Sequence, residues 1–149
     1  MREGGKTVNP NDPVQTYKEI QIKTAGQIRL IVMLYDGAIR HLNLAADAFS
    51  EGHRRYDAIN NHIIAAQDIL SELTASLDFD KGGTLARNLF SLYAFMNRQL
   101  MEANLKKDPG PVGVVKKLLT DLREAWAEIS TRKGLEEKGG TVTGVNIAG

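Results

Sequence analysis

The chain has no cysteine. That removes a disulfide framework, a thiolate metal site and a cysteine nucleophile, and it fits a reducing compartment, so the cytoplasm is the expected location. Long hydrophobic runs are missing as well. The longest, Leu30 to Tyr35, is far too short to cross a bilayer, and residues 1–13 are polar with Gly, Asn and Pro where a signal peptide would be apolar, so neither export by signal nor membrane insertion is expected. Neither sign of charge dominates: 19 basic and 18 acidic residues are mixed along the chain, without the basic block that tracks phosphates. Nucleic acid is therefore not an expected partner.

Catalytic and metal patterns are also absent. A di-metal bundle site needs Glu-x-x-His pairs, and none of His41, His53 and His62 has a glutamate three residues before it. The three lie 12 and 9 residues apart, so no two share a helical turn, and each reads as a surface or loop histidine. Asp78 to Gly83 starts like a calcium loop but has Gly82 at the fifth position and Leu89 at the twelfth, where oxygen donors are required. Gly134 to Thr141 lacks the lysine of a phosphate loop, since Gly140 stands in its place. No Gly-x-Ser-x-Gly elbow occurs. No enzyme, metal or cofactor is expected.

What the chain does have is helical periodicity. Thr24 and Gln27 form the Thr-x-x-Gln version of a capping box, which predicts a helix start near Ala25. From there Ile28, Ile31, Tyr35, Ala38, Leu42, Ala45 and Phe49 recur at steps of three and four, the seam of a bundle helix. Leu30, Val32, Met33, Leu34, Ile39, Leu44 and Ala46 lie off that seam, as further core or as an apolar patch for a ligand. Gly52 ends this helix. A second follows over about Arg54 to Leu77, with the seam Ile59, Ile63, Ala66, Leu70, Leu73 and Leu77. Asp78 to Gly83 reads as a turn. A third helix is predicted over Thr84 to Lys106 on Leu85, Leu89, Leu92, Met96 and Ala103, widened by Phe90, Tyr93 and Ala94. Asp108 then caps a fourth, with Pro109 at its first position, on the seam Val115, Leu118, Leu122, Ala125 and Ile129 as far as about Arg132.

Short connections make sequential helices antiparallel neighbours, so the predicted fold is all-α, an up-down-up-down four-helix bundle spanning residues 17–132. Residues 1–16 read as a flexible arm. Val14, Tyr17, Ile20 and Ile22 form a sparse apolar set before the capping box, a short helix or strap lying on the bundle. The Gly-rich residues 133–149 read as a disordered tail.

Six segments follow one another along the chain: Tyr17 with Ile22-x-Thr24-Ala25, Leu30 through Ile39, Ala66-Gln67-x-Ile69-Leu70-x-Glu72-Leu73, Leu77 through Gly83, Asn88-Leu89-x-x-Leu92-Tyr93-x-Phe95-Met96, and Leu122-Arg123-Glu124-Ala125-Trp126. Taken in that order, they resemble the FliS family of flagellar export chaperones. Together they cover about Tyr17 to Ile129. Family members commonly carry serine or asparagine and then proline after the Thr-Ala, where this chain has Gly26-Gln27.

The resemblance implies a cytoplasmic chaperone that binds the C-terminal segment of flagellin, prevents premature polymerisation and accompanies it to components of the export apparatus. A bundle with spare apolar surface suits that task, because it can take an amphipathic segment into a groove. On this reading Tyr17, Ile20 and Ile22 are cover and contact residues, Leu30, Met33 and Leu34 line the groove, and Phe90 and Tyr93 are further contacts. The protein itself would be a monomer or a weak homo-oligomer. The alternatives are a structural bundle whose extra apolar stripe is a homodimer interface, and a bundle that carries a small apolar ligand.

Overall fold

The structure, a computed structural model, describes the backbone of residues 13–51 and 55–139 and the side chains of 26–51 and 55–132. Four helices follow one another: α1 (Pro13–Ser50), α2 (Tyr56–Ala75), α3 (Phe79–Lys106) and α4 (Gly110–Gly139). No strand occurs among the described residues. The described residues divide into two compact units, one of residues 31–124 and one that combines those up to 30 with those from 125 onward. The first contains segments of all four helices and is the four-helix bundle.

Partner residues show the helix directions. From Gly37 to His41 along α1, the contacts on α2 fall from Ile69 to His62. From Asn60 to Gln67 along α2, the partners on α3 fall from Asn104 to Asn97. The pairs α1–α2 and α2–α3 are thus antiparallel. Tyr35 of α1 reaches Tyr93 of α3 through the middle, and Arg123 of α4 meets Asp36 of α1 on the outside.

The first two seams hold almost entirely. Tyr35, Ala38, Leu42 and Ala45 on α1 and Ile59, Ile63, Ala66, Leu70 and Leu73 on α2 are buried. In the other unit Ile28 is buried too. On α3 the buried row is Ala86, Leu89, Tyr93, Met96, Leu100 and Ala103, so Leu85 and Leu92 give way to Ala86 and Tyr93. On α4 it is Val112, Val115 and Leu119, with Leu118 and Leu122 half-buried and Ala125 and Ile129 exposed.

The helix boundaries show where local signals won and lost. Residues 17–22 are not a separate strap but early turns of α1, which runs unbroken through Thr24 and Gln27. Pro13 supplies a pre-set φ at the start, and the Gln, Lys and Glu that follow are good helix formers, so the Thr-x-x-Gln pattern has no end to cap. The helix also carries Gly26, at a typical cost of about 1 kcal/mol. Helix α4 continues to Gly139, seven residues past the expected end. Gly52 lies outside the described residues.

The segment 78–83, expected to be a turn before a helix at Thr84, is instead the capped first turn of α3, which starts at Phe79 and is broken at Gly83. The Asp78 carboxylate accepts from the Lys81 N–H at 3.0 Å, and Gly83, at φ 51° and ψ −125°, breaks α3 after one turn. That backbone conformation is open to glycine alone. At the far end of α3, Lys107 takes the left-handed conformation and Asp108 N–H bonds back to Ala103 O at 3.0 Å, a Schellman-type stop. Asp108 Oδ1 then accepts from Gly110 N–H at 2.9 Å, and α4 starts at Gly110 with Pro109 one residue before it, where Pro109 O accepts from Gly113 N–H at 3.3 Å, so the proline is the cap residue and not the first helical one.

Candidate functional site

An amphipathic helix buries one stripe, and what remains apolar outside that stripe is available to a partner. On α1 the buried row faces inward, and Met33 points away from it with 66% of its surface exposed. Leu34 is half-buried and Leu30 exposed. Tyr17, Ile20 and Ile22 sit on helical backbone, and their side chains lie outside the described ones.

On α3 the outcomes for Phe90 and Tyr93 separate. Phe90 is half-exposed and meets Phe79 edge-on with ring centroids 6.0 Å apart. Tyr93 is 3% exposed, and its hydroxyl lies 2.5 Å from that of Tyr35. A buried phenol usually needs a partner for its O–H, and here the two hydroxyls share one hydrogen bond in which one donates and the other accepts. Burial raises the Tyr93 pKa above 10.0, opposed by the bond to Tyr35, so Tyr93 stays protonated at neutral pH. Tyr93 therefore belongs to the packed interior, while Phe90 is open to solvent.

Three features escaped the sequence reading. First, Phe90, Ala94, Asn97, Met101 and Leu105 follow one another at helical steps along the flank of α3 turned toward α2, where Gln67 donates to Asn97 at 3.0 Å and Asn104 donates to Asn60 at 2.7 Å. These amides mark a helix edge that an apolar seam count passes over.

Second, His41 and His62, read as separate surface residues, meet across α1 and α2 with their Nδ1 atoms 3.1 Å apart. The His41 pKa is held below 6.5, first by desolvation, then by the charges of Arg40 and of His62. Spacing along the chain could not reveal a pair made between helices. Third, the Arg123–Asp36 pair, 2.7 Å long, ties α4 to α1 and raises the arginine pKa further.

Among the described residues no group of three or more His, Asp and Glu could hold a metal, and no helix is long and apolar enough to cross a membrane. What the surface offers is helix flanks with exposed Met, Leu and Phe beside polar side chains, which suits binding another polypeptide.

The sequence is similar to proteins of one family. Residues 10–133 match the family described as "Flagellar protein FliS". The chain is 32% identical over 131 residues to a protein named flagellar secretion chaperone FliS from Bacillus subtilis (strain 168), covering 87% of this chain and 96% of that one. It is 36% identical over 129 residues to the Salmonella typhimurium protein of the same name, covering 83% and 90%, and 31% identical over 120 residues to that of Vibrio cholerae, covering 78% and 87%. The match takes in the whole of the bundle, residues 31–124, and the chain belongs to the FliS family of flagellar secretion chaperones.

Proposed function

We propose that the protein binds the C-terminal segment of flagellin in the cytoplasm, keeps it from polymerising and delivers it to the flagellar export apparatus. The observation that carries this reading is the apolar surface left on α1 of a secretion chaperone, Met33 above all, which contributes nothing to the core. A client segment that would self-associate through an amphipathic face can place that face on Met33 and Leu34, and Leu30, Tyr17, Ile20 and Ile22 on the same helix are further proposed contacts. Ordering the segment costs part of the interaction free energy, which keeps the complex releasable.

Calorimetric titration with a peptide of about 50 residues from the C-terminus of the cognate flagellin tests this, with Tyr17→Ala, Met33→Glu and Leu34→Asp beside the unaltered protein. The expected result is saturable one-to-one binding with a negative heat-capacity change, weakened about tenfold or more by the substitutions at 33 and 34 in proteins that remain folded. No binding, with the protein a persistent dimer at nanomolar concentration, would favour the homodimer reading instead.

A further inference from the structure

A second surface lies where the sequence assigns no partner. Near the start of α2 and the end of α3 an open groove of about 720 Å³ is lined by Asn60 and Gln67 on one wall and by Arg98, Met101, Asn104 and Leu105 on the other. Leu105 is 85% exposed and Met101 56%, one helical turn apart, so their side chains are about 6 Å from one another and stabilise the fold little.

The rim is cationic. Arg98, Lys106 and Lys107 stand against a single carboxylate, Glu102, which is paired with Lys106 at 3.2 Å. Arg98 makes no ion pair or side-chain hydrogen bond among the described residues. Lys107 is fixed in place, donating to Asn104 and lying 5.6 Å from the centre of the Tyr56 ring. The amides are fixed too. Asn60 spends its carbonyl oxygen on Asn104, and its own NH2 donates to nothing among the described residues, so the groove has a donor left for an acceptor-rich ligand.

We infer that this groove docks an amphipathic helix with an acidic flank, supplied by a protein other than the flagellin client. Two apolar side chains one turn apart would rest on Met101 and Leu105, with carboxylates facing Arg98 and the lysines. A second copy of this chain fits badly, because a two-fold contact would set the cationic rim against itself. The lining comes from α2 and α3 alone and includes none of the α1 residues assigned to the client, so the two sites can be filled together.

The test uses the full-length, isotopically labelled protein and a synthetic helical peptide of about 18 residues, with leucines at steps of three and four and glutamates on both flanks; its twin carries lysines for the glutamates. Amide shifts should concentrate at residues 60–67 and 98–107. Affinity should fall about tenfold between low and moderate salt, about tenfold in Arg98→Glu or Leu105→Glu, and at least about tenfold for the lysine twin. Prior saturation with the flagellin peptide should leave it unchanged. Equal binding of the two peptides, or shifts elsewhere, would overturn the docking assignment. Displacement by the flagellin peptide would overturn the separate partner and make the groove a client seat. Because the flagellin titration is measured by itself, its failure would leave the free-protein result decisive for the groove.

Discussion

Among the side chains, the two buried or half-buried polar pairs carry the most consequence. Tyr35 and Tyr93 place their hydroxyls together in an otherwise apolar core, so Tyr93→Phe removes a bond without opening a cavity. It should cost about 1 kcal/mol in urea unfolding, whereas Tyr93→Ala should cost about 3–5 kcal/mol through the cavity. Equal losses would show that the hydroxyl, not the ring, dominates. The His41–His62 pair has a pH signature. The folded His41 binds its proton less readily than the unfolded chain does at 6.5, so stability is complete above that pH and declines as pH falls below it. Unfolding midpoints at pH 7.5 and 5.5 should differ more for the unaltered protein than for His62→Gln, which removes the neighbouring imidazole charge; identical differences would exclude a role for the pair. Neither pair was legible beforehand, since each joins residues from different helices and neither leaves a local spacing.

At the level of helices and turns, punctuation was easier to read than the middle of a stripe. Asp78 caps α3 and Gly83 breaks it within the stretch expected to turn, and both can be probed. Asp78→Ala should cost about 1 kcal/mol for the lost cap, and Gly83→Ala about 1–3 kcal/mol because alanine cannot relax into that backbone conformation. Chemical denaturation of the two variants checks the order, and a Gly83→Ala variant as stable as its parent would mean that the break is not needed. The α3 seam was misjudged for a related reason. A Cβ on Gly82 would lie 2.8 Å from the Ala86 Cβ, so the folded-back first turn covers the small Ala86, and the larger Leu85 turns outward to 58% exposure. Hydropathy ranks leucine above alanine, but the geometry of the break sets the phase. Thr24 and Gln27 teach the converse: a capping pattern ends a helix only when the residues before it resist helix, and those after Pro13 do not.

For the molecule as a whole, the four-helix architecture and the family were legible from the combined periodicity, and the distribution of outer apolar residues only in part. Leu30, Met33 and Phe90 are exposed as a contact role requires, while Tyr93 is interior and the α2–α3 flank went unnoticed because asparagines and glutamine interrupt it. If Met33 serves binding alone, Met33→Glu should leave the thermal midpoint within about 2 °C of the parent while weakening the client complex, and a large drop in midpoint would return Met33 to the fold.

The two amide rungs between α2 and α3 have one more consequence. Both are spaced seven residues apart on each helix, like the teeth of a ratchet. Sliding α3 by two turns would bring Asn60 opposite Asn97, and a hairpin with one tooth could rest there. With two, the slip sets Gln67 against Phe90, where the half-buried amide loses its side-chain partner, so the second tooth favours the native register over a slip of one heptad.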